Sequence, residues 1–212
     1  MLEPSLPGGA VKTSRKGCGD YVIDVRGVPA HAGVDPGKGV SAIRELARQV
    51  LLVETLQDLE RGISVNVGLI SGGSRPNVVP ASASAHIDVR ARTLADAAEI
   101  DRAFAALTPH LPGASLEIRG GFSRPPMERS DDVARLFDAA RAAGAELGQD
   151  VTEGSTGGGS DGNFCAALGI PTLDGLGAVG DGAHARHEHV VISALVPRAA
   201  LISSLIARLA DT

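Results

Sequence analysis

Between residues 19 and 26 apolar and polar side chains alternate, with Tyr21, Ile23 and Val25 opposite Val22, Asp24 and Arg26. A period of two is that of a half-buried strand. The alternation recurs at Ile63, Val65, Val67 and Leu69. It returns over residues 81–91, where Ala81, Ala83, Ala85, Ile87 and Val89 form one face and Ser82, Ser84, His86, Asp88 and Arg90 the other. Residues 114–122, with Leu116, Ile118 and Phe122, read as a fourth strand. Between the strands the period lengthens. Val40, Ile43, Ala47, Val50 and Leu51 share one helical face, and Leu94, Ala97, Ile100, Phe104 and Leu107 share another. The stretch Gly72-Gly73-Ser74-Arg75-Pro76-Asn77 is a turn by composition. The order β-α-β-β-α-β is the ferredoxin-like arrangement, which places both helices on one face of a four-stranded antiparallel sheet.

Ser123-Arg124-Pro125-Pro126 interrupts this pattern. A helix follows, carrying Val133, Leu136, Phe137, Ala140 and Leu147, then a Gly-rich turn from Gly154 to Gly162 and a short strand near Ile170–Leu173. A His-rich loop (184–189) leads to a last helix with Leu195, Ala199, Ile202, Leu205 and Leu209 on one stripe and Ser193 as its N-cap. Apolar helix stripes need a partner layer, yet this segment carries scarcely any sheet. Three segments result: 1–16, the end of a strand and a linker; 17–123, the ferredoxin-like domain; and 124–212, an incomplete α/β domain.

Composition narrows the classes. The 212 residues carry 25 acidic and 20 basic side chains, a net charge of −5, with a pI near 5.7. That balance gives no general attraction to nucleic acid or anionic lipid. No uninterrupted apolar run reaches the roughly 18 residues of a membrane helix, so no membrane association is expected. No secretory signal pattern is visible. Cys18 and Cys165 form neither a disulfide framework nor a CxxC pair, and a cytoplasmic location is the expectation. With 27 glycines, glycine motifs also match by chance.

Gly158-Gly159-Ser160-Asp161-Gly162 fits G-x-S-x-G, and Asp174 and His184 follow in the order of an α/β-hydrolase triad. That elbow needs a hydrophobic strand running into the turn, and Thr152–Gly157 is polar, so a serine hydrolase on Ser160 is the least favoured alternative. Gly175-Leu176-Gly177-Ala178-Val179-Gly180 fits G-x-G-x-x-G but opens no helix. His86 and Asp88 share a strand face, as a metal pair or as a plain solvent-facing surface. His184, His187 and His189 are of a zinc-ligand type, and spacing alone leaves metal binding and surface roles open.

Several strings together carry a resemblance. Glu3-Pro4 precedes a linker; then come Gly27-Val28-Pro29-Ala30-His31-Ala32-Gly33 with Pro36 and Ala42, and Gly72-Gly73 running into Asn77-Val78-Val79-Pro80. Asp88-Val89-Arg90, Gly157-Gly158-Gly159-Ser160-Asp161 and Gly182-Ala183-His184-Ala185 with Glu188 follow. In this order and at these separations the chain resembles the dizinc aminoacylase, glutamate carboxypeptidase and succinyl-diaminopimelate desuccinylase family. Within it, the chain is most similar to the bacterial carboxypeptidases that remove C-terminal glutamate from folates and related amides.

The resemblance implies a ferredoxin-like dimerisation (lid) domain followed by the closing part of a zinc-peptidase catalytic domain. It implies a zinc-dependent amidohydrolase of carboxypeptidase type, with two zinc ions per site activating a water against an amide bond. Glu3 and His184 match metal ligands. His31 matches the lid histidine that stabilises the oxyanion in the partner subunit's site. Asn77 and Arg90, and less strongly Arg124, match positions that hold the substrate carboxylate, while Gly158, Gly159 and Ser160 belong to a cradle beside the substrate. The implied partners are a second copy of the chain, joined lid to lid by helix and edge strand, and a small acyl-amino-acid or peptide substrate. The family's opening H-x-D and Glu-Glu motifs have no match here, so this chain alone is expected to be inactive. The alternative is a non-catalytic dimerisation or carboxylate-binding module.

Overall fold

The computed structural model describes residues 1–210. Two compact units form: Gly17–Arg124, and a discontinuous unit of Met1–Lys16 with the chain from Pro125 onward.

The continuous unit holds β2 (Gly17–Arg26), α1 (Ala42–Glu54), β3 (Ser64–Gly72), β4 (Ser82–Ala91), α2 (Leu94–Ala105) and β5 (Ser115–Arg124). The sheet order is β3-β4-β2-β5, antiparallel throughout. The alternating residues of β2 and β4 send Tyr21, Ile23, Val25, Ala85, Ile87 and Val89 into a core closed by Leu46 and Val53 of α1 and Ile100 and Phe104 of α2. The Tyr21 and Phe104 rings stack with centroids 3.9 Å apart. Ser41 and Thr93 cap the two helices, accepting from the amides of Arg44 and Asp96, which satisfies donors the first turn leaves open. The expected arrangement is present, with one local correction at β3. A register shift between Val67 and Leu69 lets Leu69 pair with His86, so this bulge sends Leu69 to the open face, away from Val65 and Val67.

A carboxylate sits inside this unit. Glu45 on α1 is fully buried and accepts from Gln49 Nε2 at 2.7 Å and from the amides of His110 and Leu111. Burial pushes its carboxyl up, but these hydrogen bonds outweigh it and hold the group below its ordinary value. Glu45 thus fastens the loop after α2 onto α1.

The discontinuous unit pairs β1 (Val11–Arg15) with β6 (Glu153–Thr156) in parallel. It adds α3 (Asp131–Glu146), α4 (Gly162–Ala167), the hairpin β7 (Gly180–Asp181) and β8 (His189–Val190), and α5 (Ile192–Ala210). Its core joins Val11, Phe137, Ala140, Leu173, Leu176, Leu201 and Leu205. Several expectations change here: Val11–Arg15, read as linker, is β1, and Glu153–Thr156, read as running into the Gly-rich turn, is β6. Residues 170–173 form no strand, since the nearest pairing is a single bridge between Lys12 and Asp174. Ser193 lies inside α5, one residue past its start at Ile192, so it is not the cap. The apolar stripe of α5 also divides: Leu201 and Leu205 are buried, whereas Leu195 and Leu209 are exposed beside Val196 and Ile206.

By length and a mean hydropathy of 1.5, α5 is long and apolar enough to cross a membrane, which corrects the expectation that no such segment exists. Counting uninterrupted apolar residues misses it, because Ser193, Arg198, Ser203, Ser204 and Arg208 interrupt the run. The Arg198 guanidinium is buried and donates to the carbonyls of Gly177, Gly9 and Gly175. Together with Leu201 and Leu205, it fastens α5 to its own unit.

Candidate functional site

In the discontinuous unit, Glu3 lies on an extended segment running beside residues 176–178. Leu176 N donates to Met1 O, Gly177 N to Glu3 O at 2.9 Å, and Ser5 N to Ala178 O. Gly177 makes this approach possible, because a Cβ there would run into the carbonyl oxygens of Leu2 and Glu3. Lys12 Nζ, buried, donates to Pro4 O at 2.7 Å. Burial, aided by Arg15, pulls the Lys12 ammonium below its usual range against the opposing pull of Asp174 and Glu3. The G-x-G-x-x-G match is therefore a bed for the Glu3 segment.

The chain runs on from that bed into the β7–β8 hairpin, whose loop carries His184. His184 is exposed, and it is the one non-glycine residue with positive φ (66°) among the described residues. An L side chain adopts that conformation at a cost. The Gly182 amide donates to Asp181 and Ala185 N to Gly182 O, which closes the turn around it. His187 packs where Gly182 would carry a Cβ, and both His187 and His189 are exposed.

The loop Gly157–Asp161 is anchored at one end. Gly157 and Gly158 are exposed with open space where side chains would stand. Ser160 is buried; its hydroxyl donates to Asp174 Oδ2 at 2.6 Å and accepts from Gly162 N, and its amide donates to Asn163 Oδ1. With its polar atoms engaged this way, Ser160 serves the loop's shape. Its hydroxyl meets a carboxylate directly, with no imidazole between them, which removes the basis for a serine nucleophile.

In the continuous unit, the His31 and Asn77 segments meet. Ala32 N donates to Asn77 O, Val79 N donates to Ala30 O, and His31 bridges Val78. Gly27 seats the base of this loop, because a Cβ would collide with the carbonyl oxygen of Val40. The exposed His31 ring accepts from the amides of Gly33 and Val34 at Nδ1, at 3.2 and 3.1 Å. In the neutral ring the proton therefore resides on Nε2, the nitrogen left to donate.

Arg90 lies at the other end of β4, in register with Cys18, which is itself in register with Arg124 on β5. Its guanidinium closes on Asp88 through two bonds, Nε to Oδ1 at 2.9 Å and Nη2 to Oδ2 at 2.6 Å, while Nη1 contacts Cys18 Sγ at 2.5 Å. Asp88 chiefly, against some desolvation, raises the Arg90 pKa. His86 stays exposed on the open sheet face, and with Asp88 spent on Arg90 the two do not form a metal pair. Arg90 is eight positions along the strand from Ser82, which lies beside the His31–Asn77 end. At ~3.3 Å per residue that is roughly 26 Å.

Residues 13–113 match the family model of the peptidase dimerisation domain. Carboxypeptidase G2 from Pseudomonas sp. (strain RS-16) is 32% identical over 194 residues, 87% of this chain and 45% of that protein. The protein YqjE of Bacillus subtilis (strain 168) is 30% identical over 187 residues, 85% of this chain and 48% of that one. The chain belongs to the M20 peptidase family. It spans about half the length of these curated relatives. The crystal structure of aminopeptidase PepT from Bacillus cereus shares the fold of this M20 chain, with a TM-score of 0.82, 24% identity, and coverage of 99% of this chain and 56% of that one.

A zinc site needs at least three protein ligands. Among the described residues of this M20 chain, no group of three or more His, Cys, Asp or Glu side chains is placed to hold a metal. Glu3 and His184 by themselves do not fit the ion. The sequence reading also missed Lys12, Arg15 and Arg198 and gave Asp174 only as the acid of a candidate triad; all four support the Glu3 segment and the glycine loop. Lys12, Asp174 and Arg198 are charged residues in otherwise apolar or glycine-rich stretches, a signal that Arg15, within Thr13-Ser14-Arg15-Lys16, does not share.

Proposed function

We propose that this chain is the lid and closing catalytic part of an M20 carboxypeptidase-type amidohydrolase acting on an amide beside a C-terminal amino acid such as glutamate. The observation that carries this reading is the extent of the likeness to carboxypeptidase G2. Its 194 aligned residues outrun the continuous unit, Gly17–Arg124, so the kinship takes in more than a dimerisation module. On this reading Glu3 and His184 contribute a carboxylate and an imidazole to a zinc set that the chain does not complete. His31 offers its Nε2 proton to the developing oxyanion. Arg90, with Arg124, holds the substrate carboxylate, for which a guanidinium fork is suited, while Asn77, at the other end of the sheet beside His31, holds the carboxylate in the partner's site. The backbone of Gly158, exposed, and Gly159, half-buried, borders the substrate.

The lid joins two copies. β3 is an edge strand, and beside it a concavity of about 530 Å³ is lined by Ile43, Leu46, Ala47, Val50, Leu51 and Ile70. The family model's description as a dimerisation domain supports self-association, and the apolar lining of this concavity makes it the face assigned to the contact. The separation of His31 and Arg90 along one sheet supports their serving different sites, His31 acting on the partner's substrate.

Metal analysis and a turnover assay with folyl-glutamate and N-acyl-glutamate test the reading. The isolated chain is expected to hold less than one zinc and to turn over neither substrate. Stoichiometric tight zinc with clear turnover would overturn the inactivity. Calorimetry addresses the carboxylate role: weak binding of N-acetyl-glutamate, abolished by Arg90→Ala, is expected, and heat unchanged in that variant counts against it.

A further inference from the structure

Asp174 is fully buried in the discontinuous unit, where its two carboxylate oxygens serve different segments. Oδ2 accepts from Ser160 Oγ at 2.6 Å and from Arg15 Nε at 2.7 Å, while Oδ1 accepts from the Gly175 amide at 2.6 Å. Arg15 also reaches the glycine loop directly, donating from Nη1 to Gly158 O at 2.7 Å. Its Nη2 is buried with no hydrogen-bond partner, so Asp174 is the carboxylate that balances this buried charge. On the backbone, Asp174 and Lys12 exchange both amide-to-carbonyl bonds, and Lys12 in turn holds Pro4, next to Glu3. From Gly175 the chain passes in two residues to Gly177, whose amide holds the Glu3 carbonyl.

One carboxylate therefore links two features that lie far apart in sequence: the Gly157–Gly162 loop and the bed of the Glu3 segment. We propose that Asp174 is a positioning residue that keeps this loop and the Glu3 segment in fixed register. Its functional meaning rests on the carboxypeptidase reading above, in which the loop borders the substrate and Glu3 faces the metal. Buried hydrogen-bonded networks of this kind transmit a change at one member to the others. A mere staple would instead loosen the unit uniformly when cut.

Residue-resolved hydrogen exchange on the full chain, without metal or substrate, separates the two. The variants are Ser160→Ala, which cuts the loop's direct bond to Asp174 and leaves Arg15 on Gly158 O, and Asp174→Asn, which keeps the shape and removes the charge. Ser130→Ala, which removes the cap of α3 in the same unit, controls for general destabilisation. In Ser160→Ala the Gly177 amide is expected to exchange roughly tenfold faster relative to the amides of α3, with Gly162. Asp174→Asn is expected to extend that to Gly175, whereas Ser130→Ala should leave the Gly177-to-α3 ratio unchanged. Unchanged exchange at Gly177 in Ser160→Ala, or an equal increase across the unit, would overturn the proposal whether or not Asp174→Asn folds. Because the readout uses neither zinc nor turnover, it stands or falls independently of the carboxypeptidase reading.

Discussion

Arg90 and Asp88, two residues apart on β4, point to the same face of the sheet and close a two-bonded ion pair. The fork proposed to grip a substrate carboxylate therefore already holds one supplied by its own strand. Substrate must displace Asp88 or share the guanidinium with it. With Asp88→Asn the resident negative charge is gone, and binding of N-acetyl-glutamate measured by calorimetry should tighten by about three- to tenfold. Weaker binding in that variant would mean that Asp88 orients the fork and does not compete for it.

Glu45 yields a stability prediction with a defined pH sign. Its folded pKa lies below the ordinary value of 4.5, so its contribution is present above that value and is lost as pH falls through the folded pKa. Replacing it with glutamine substitutes an amide for the ion that the His110 and Leu111 amides bind. Glu45→Gln should cost about 1–3 kcal/mol at pH 7, measured by urea denaturation. The gap from wild type should narrow as pH drops below 4.5; a gap independent of pH would refute the assignment to the charge.

Gly177 is confined by backbone. An alanine there would meet the carbonyl oxygens of Leu2 and Glu3, neither of which is the far end of a flexible side chain. Gly177→Ala should lower stability by about 1–3 kcal/mol and expose Met1–Ser5 to protease. Wild-type resistance of that segment in the variant would show that it does not rely on the close approach.

The apolar face beside β3 predicts assembly. The chain should sediment as a dimer at micromolar concentration. Leu51→Glu or Ile70→Lys, at positions 67% and 61% exposed in the single chain, should yield monomers that keep their fold by circular dichroism, since neither side chain is buried in the core. A wild-type monomer, or mutants that still dimerise, would exclude this face.

The lid was legible because its strands alternate cleanly and bury one face each. Tyr21, Ile23 and Val25 need only the next strand and two helices to be explained. Leu69 defeated the pattern because the bulge at Gly68 is a property of pairing with β4, not of the local sequence. β1 and β6 were missed for a related reason: Val11 and Glu153 pair across most of the chain, with too few residues in either strand to show a period. Among candidate site residues, sequence pointed to individual side chains such as His31 and Arg90. It could not show that Asp88 occupies the Arg90 fork, or that Asp174 answers both Arg15 and Ser160, because those partners are set by tertiary distance.

The ten residues of β4 carry a consequence for measurement. Arg90 sits near one end of that strand, and the His31 loop packs on residues 77–81 beyond the other end, farther away than a single amino acid can reach. On the proposed reading, any enzyme assembled on this lid depends on its own concentration. Diluted below the dissociation constant of the pair, it would lose rate faster than in proportion to the protein removed, and adding a lid that is inert by itself would restore it.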